Sequence, residues 1–122
     1  MIKILRKAYI FLLLATALMA CKQHTDFERR LNTAELMMNE MPDSAFRMLC
    51  RMDAETERLP QSLRMRHLLR RSNAQNKANV LFTSDSIGNV LVSYYDRHGS
   101  PNERMLAHYI KGCAYRDMDD LS

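Results

Sequence analysis

Residues 25–52, TDFERRLNTAELMMNEMPDSAFRMLCRM, decide how this chain folds. Phe27, Leu31, Ala34, Met38 and Met41 recur every three or four positions, the spacing that lines one face of an α-helix. Pro42 then interrupts the run. Ala45, Met48, Leu49 and Met52 restart the rhythm after Asp43, a residue type that caps helix N-termini. Thr25 and Glu28 stand at capping-box spacing, so a first helix is expected over about 26–40 and a second over about 44–52. Only Met41-Pro42-Asp43 separates them, and so short a connection predicts antiparallel neighbours.

The same grammar continues downstream. Pro60 suits a first helical turn and opens a helix expected over about 61–74, with Leu63, Met65, Leu68 and Leu69 as its apolar contacts. A polar loop is expected near Asn76-Lys77-Ala78-Asn79. The fourth helix starts at Ser84 or Asp85 and runs to about Arg97, with Ile87, Val90, Leu91, Tyr94 and Tyr95 as its stripe. Gly88 weakens it by up to ~1 kcal/mol. Gly99 and Pro101 close it, and a fifth helix follows over about 102–118 with Met105, Leu106, Tyr109, Gly112, Cys113 and Tyr115. No segment alternates strictly enough for a strand, so the expected class is all-α. The first and third helices open about 34 residues apart, the period of a two-helix repeat, and the third and fifth about 41 apart.

The stretch Ala107-His108-Tyr109-Ile110-Lys111-Gly112-Cys113-Ala114-Tyr115-Arg116-Asp117-Met118-Asp119-Asp120 resembles the first helix of a tetratricopeptide repeat. That helix places a Gly three residues before a Tyr, as Gly112 and Tyr115 stand here, whereas Lys111 occupies a position where the family prefers Leu. The resemblance implies that Gly112 admits a neighbouring helix, that Tyr115 fills the groove beside it, and that Asp119-Asp120 is the turn before a second helix. Together with Pro42-Asp43-Ser44-Ala45, Thr83-Ser84-Asp85-Ser86 and Tyr94-Tyr95-Asp96, the chain resembles the N-terminal part of larger tetratricopeptide-repeat lipoproteins of Gram-negative anaerobes. The fold so implied is a right-handed stack of antiparallel hairpins whose concave surface, lined by the first helix of each pair, binds another protein. Arg66, Arg70, His108 and Lys111 are the partner-contacting residues by position. The array stops at Ser122 on an unpaired first helix, so the domain over 26–122 is expected to be incomplete at its C-terminus. An alternative reading therefore makes the chain the sensor fragment of a longer signalling regulator.

The N-terminus carries a second signal. Met1–Lys7 is basic, and Ala8–Ala20 is an uncharged apolar run of 13 residues. As a helix that run is ~20 Å long at ~1.5 Å per residue, short of the ~30 Å of a bilayer core, and it fits a secretion signal over 1–20. It ends in Leu18-Met19-Ala20-Cys21, which resembles the lipobox of bacterial lipoproteins. Leu18 and Ala20 are the residues the signal peptidase reads; Met19 stands where a smaller residue is usual. The resemblance implies cleavage before Cys21, a diacylglycerol thioether on Cys21 and an N-acyl chain such as palmitate. Acyl chains at ~0.8 kcal/mol per buried CH₂ then hold the protein on a membrane. Residues 21–25 would form a short tether, and Lys22 after the lipidated Cys points to the outer rather than the inner membrane.

Composition excludes several classes. The net charge is +4, but Lys3, Arg6 and Lys7 belong to the leader, which leaves the mature chain near neutrality and without the cation surplus that nucleic-acid binding needs. No nucleophile elbow, Walker loop, HExxH or dinucleotide turn occurs, so no enzyme activity, cofactor or small-molecule substrate is expected. His24, His67, His98 and His108 never stand four apart, which gives no helical metal motif, and they are expected at the surface or partly packed. Cys50 and Cys113 are expected as buried free thiols, with a disulfide between them as the alternative. A small envelope enzyme would need Cys50 to meet His67, or scattered carboxylates to converge. Asp117, Asp119 and Asp120 read as turn residues at a helix end. Arg64, Arg66, Arg70 and Arg71 form the densest charge, a solvated face or a seat for an acidic peptide or for anionic lipid headgroups. The remaining function class is non-catalytic protein binding at the cell envelope.

Overall fold

Five α-helices and one 3-10 turn build the chain; the structure is a computed structural model describing residues 1–121, and no strand occurs among them. The chain divides into two compact units, Met1–Arg30 and Leu31–Ser122. Helix α1 covers Ile2–Met37.

In the N-terminal unit the leader and the expected tether are continuous helix. Thr25 is therefore not an N-cap: its hydroxyl donates to the Cys21 carbonyl, 2.9 Å away, one turn back. The reason is compositional. Between Leu18 and Thr25 there is no Gly or Pro, and Leu, Ala, Met, Lys and Gln favour helix. Asp26 pairs with Arg29 and, at 3.3 Å, with Arg30 along the same face.

In the second unit α1 ends at Met37, earlier than its apolar rhythm suggests, and Met38–Glu40 form a turn. Met41 consequently points to solvent. Helix α2 (Pro42–Arg51) takes Pro42 as a first-turn residue, so Asp43 lies inside the helix rather than capping it. The 3-10 turn Asp53–Arg58 follows, fixed by the Thr56 hydroxyl on the Asp53 carbonyl at 2.7 Å. Periodicity gives no sign of it. Helix α3 (Gln61–Lys77) runs one turn past its expected end. It stops where Asn79 adopts φ 58°, the left-handed conformation that Asn tolerates. Helix α4 covers Ser86–His98 and α5 covers Pro101–Leu121. A capping box does exist, at the start of α5: the Ser100 amide donates to Glu103 Oε1 at 3.0 Å and the Glu103 amide to Ser100 Oγ at 3.2 Å.

Cross-helix contacts set the directions. Helices α4 and α5 are antiparallel, since Asp85 meets Tyr115, Gly88 meets Lys111 and Asp96 meets His108. Helices α2 and α3 are antiparallel through Leu49 with His67 and Phe46 with Arg71. The C-terminal part of α1 and the turn after it run parallel to α3. Arg66 donates to Asn32 at 2.9 Å, Asn73 to the Met38 sulfur at 3.3 Å and Lys77 to Asn39 at 2.9 Å. The partners lie 34, 35 and 38 residues apart in the chain.

A core of Leu69, Phe82, Leu91, Tyr95, Ala107, Ile110, Cys113 and Ala114 joins α3, α4, α5 and the loop before α4. Each large side chain so buried contributes ~1.5–3 kcal/mol. On α4 the buried line is Gly88, Leu91 and Tyr95, and the expected stripe residue Val90 is exposed. A Cβ on Gly88 would stand 2.9 Å from the Lys111 Cα, so this glycine is where two helices come closest. Gly112 and Tyr115, assigned that packing role from sequence, do not perform it here. A Cβ on Gly112 would meet nothing within 4 Å, and Tyr115 is half exposed. Helix α5 buries Ala107, Ile110, Cys113, Ala114 and Asp117, which leaves Gly112 on the opposite face.

Candidate functional site

The candidate anchoring segment is the first unit of α1. Ile4, Leu5, Phe11, Leu12, Leu14 and Leu18 are all more than half exposed. The helix is long and apolar enough to cross a membrane, and an N-terminal signal sequence meets the same description. Cys21 is exposed with a free thiol, and Ala20 beside it is exposed as well. Apolar side chains turned outward over this length are unstable in water and stable in a bilayer or a signal-binding groove.

The four candidate partner-contacting residues do not form one free cluster. Arg66 is bonded to Asn32, and Arg70 pairs with Glu35 at 3.2 Å, both across α1 and α3. His108 is bonded to Asp96 at 2.8 Å across α4 and α5. Lys111 lays its stem against Gly88 and brings its Nζ to 6.0 Å from the Tyr115 ring centroid. Each is already engaged within the fold, so an acidic partner would have to compete with Glu35 or Asp96.

Sequence reading missed two polar positions. His67 is not at the surface: it is 3% exposed, with Nε2 2.8 Å from the Leu49 carbonyl oxygen and 3.5 Å from Asp53 Oδ1. Arg71, 3.3 Å from the same carboxylate and 5.8 Å from the Phe46 ring centroid, completes the fastening of the 3-10 turn to α3. The groove here, about 380 Å³, is lined by Asp53, Thr56, Gln61, Arg64, His67 and Arg71. Burial pushes the His67 pKa below its ordinary 6.5, against the opposing pull of the Leu49 carbonyl and Asp53. A histidine protonated more readily when unfolded gives stability that is complete above pH 6.5 and is lost as pH falls toward the lowered folded value. Urea midpoints should therefore decline from pH 7 to pH 5 with a slope of at most ~1.4 kcal/mol per pH unit from this group. His67→Gln should flatten that decline; an unchanged slope would assign it to other groups.

Asp117 is not turn chemistry. It is 2% exposed, accepts the Phe82 amide on Oδ2 at 3.0 Å and receives Arg116 on Oδ1 at 2.9 Å. Arg116 also reaches Asn76 at 3.1 Å, so the last turn of α3 and the loop before α4 are both tied to α5. Burial raises the Asp117 pKa, but the Phe82 amide and the Arg116 guanidinium outweigh it and hold the carboxyl below its ordinary 3.8.

Cys50 is half-buried and Cys113 buried, both free thiols. Among the described residues no group of three or more His, Cys, Asp or Glu side chains could hold a metal ion. No family model, curated protein or solved structure matches the chain.

Proposed function

We propose that this chain is a cell-envelope lipoprotein, anchored through Cys21, whose helical unit is a non-catalytic protein-interaction module stacked in the manner of tetratricopeptide repeats. The observation that carries the anchor is the outward-facing apolar run ending on an exposed Cys in Leu18-Met19-Ala20-Cys21. The stack is supported by the parallel register of α1 and α3, whose paired residues lie 34 and 35 residues apart, as successive two-helix repeats would place them. The face bearing Arg66 and Arg70, with Asn32 and Glu35 between the two helices, is the interaction surface this reading favours. The outer membrane is the favoured location, on the strength of Lys22 after the Cys.

The test is the intact mass of the chain extracted from envelopes of a Gram-negative host. A mass beginning at Cys21 and carrying acyl chains is expected, with Cys21→Ala leaving residues 1–20 in place and no acyl mass. An unmodified chain that retains residues 1–20 would sink the anchor. For the interaction face, crosslinking on the envelope surface should yield one adduct that Arg70→Glu removes. An adduct unaffected by that change would move the surface elsewhere.

A further inference from the structure

The four arginines that crowd α3 in sequence part company in the fold. Arg66 and Arg70 turn to α1. Gln61, Arg64, Met65 and Leu68 stand at i, i+3, i+4 and i+7, on the opposite face of α3. Two adjoining grooves flank that face. The one toward the 3-10 turn, about 380 Å³, holds Arg64 and Arg71. The one toward α4, about 490 Å³, holds Asn89, Val90, Ser93, Tyr94, Arg97 and His98. Gln61 and Met65 line both, so the two grooves share a wall. Grooves of this size seat a few residues of a bound chain.

The charges of this face decide what it takes. Besides His67 and His98, the charged side chains lining the two grooves are Arg64, Arg71, Arg97 and Asp53. Asp53 is already held by Arg71 at 3.3 Å. Arg64 and Arg97 are exposed, and neither side chain has an ion pair or hydrogen bond among the described residues. The carboxylates on the surrounding elements do not compensate them. Glu55 has its own interaction, Asp96 is bonded to His108, Glu103 accepts the Ser100 amide, and Glu57 lines neither groove. Two cations are thus left beside a partly apolar floor, of which Val90 is 47% exposed. Gln61 and Asn89 add amide side chains that bond nothing else among the described residues, and such an amide matches the donor and acceptor of a peptide group. Tyr94 stacks on His98 with 4.8 Å between ring centroids, so a ring face that could carry a sugar is already taken.

We infer that this face of α3 binds an extended acidic peptide segment. One carboxylate pairs with Arg64, a second with Arg97, and an apolar side chain between them rests on Met65 and Val90. In an extended chain every second side chain points the same way, so acidic residues four apart with an apolar residue midway all face the protein. Their carboxylates stand ~13 Å apart, a span that arginines on neighbouring helices reach. Ion pairs at exposed positions are individually weak, so the binding is reversible and falls with salt. The site lies on the far side of α3 from Arg66 and Arg70, and it depends neither on that surface nor on a lipid at Cys21.

The experiment uses the full chain in nonionic detergent micelles at about 50 mM salt, with fluorescence anisotropy of a labelled peptide of repeated Glu-Ser-Leu-Ser units as the readout. Saturable binding is expected, and a version with Ser in place of Glu should bind about tenfold more weakly. Arg64→Glu and Arg97→Glu should each weaken binding about tenfold, whereas Arg104→Glu, at an exposed arginine of α5 outside both grooves, should leave it within twofold. The chain carrying both Arg64→Glu and Arg97→Glu should bind a Lys-Ser-Leu-Ser peptide more tightly than the parent does, a gain that an unfolded variant could not show. No saturable binding of the Glu peptide, or an equal loss from Arg104→Glu, would overturn the proposal. Binding of a neutral oligosaccharide such as maltohexaose instead of the peptide, lost with Asn89→Ala, would overturn it in favour of a glycan site.

Discussion

Asp117→Ala should lower the unfolding free energy by about 3 kcal/mol, roughly 15 °C in midpoint for a domain of this size. The loss has two parts. The Phe82 amide, on a buried residue flanked by exposed ones, loses its acceptor at 3.0 Å. The Arg116 guanidinium loses the carboxylate at 2.9 Å that keeps it in reach of Asn76. Phe82 itself belongs to the core that joins α3, α4 and α5, so loosening its backbone also loosens the packing of Leu91 and Tyr95 in that core. Asp117→Asn keeps an acceptor for the amide and should cost about half as much. Because Asp117 titrates below 3.8 in the folded chain, its contribution is present above that pH and is lost as pH falls through the folded value. The Asn variant should therefore lose less stability than the parent below pH 4. Urea denaturation at pH 7 and pH 3 reads both effects, and an Ala variant within 0.5 kcal/mol of the parent would show that the latch contributes little.

The second large effect is at Gly88, and it has a mirror at Gly112. Any Cβ at Gly88 lies 2.9 Å from the Lys111 Cα, a backbone atom that cannot rotate aside. Gly88→Leu should cost about 3 kcal/mol by forcing α4 away from α5. Gly88→Ala gains ~1 kcal/mol of helix propensity, which offsets part of its own clash, and should sit near a small net loss. Gly112 is the reverse case. It is helical, exposed and unopposed, so Gly112→Ala should stabilise the chain by about 0.5–1 kcal/mol at dilute protein concentration. Urea midpoints of the three variants, with helix content followed by circular dichroism, test the pair. Equal destabilisation at both positions would mean that Gly112 is packed as Gly88 is.

These two glycines show where sequence reading works and where it stops. The helices themselves are legible, because Phe27, Leu31, Ala34 and Met38, then Ala45, Leu49 and Met52, keep the helical rhythm and are buried. The all-α class follows from that rhythm alone. Which glycine lies at a helix crossing does not, since both sit in helical patterns and only the facing of α4 against α5 separates them. The 3-10 turn was illegible because Asp53–Arg58 has no apolar period; a buried His67, a carboxylate and a carbonyl hold it instead. Asp117 was masked by its neighbours Asp119 and Asp120, which make the segment look like an exposed turn. The capping box at Ser100 and Glu103 could have been found, since Ser-x-x-Glu around Pro101 carries the same signature that was assigned to Thr25. Of the candidate site, Cys21 and its exposed apolar run are visible in sequence, whereas the pairing of Arg70 with Glu35 and of His108 with Asp96 depends on tertiary register.

The bond from Phe82 to Asp117 spans 35 residues, and that span fixes an order of events. A ribosome makes residue 117 last among the parts that fasten the loop before α4, so throughout synthesis of α3 and α4 that loop has no clasp. Until α5 arrives, Phe82 can be drawn out of the core at little energetic cost. Once α5 settles, one carboxylate closes the loop and the same segment resists being pulled open. The chain thus carries its own delay: slack while it is being made, fastened only when α5 is in hand.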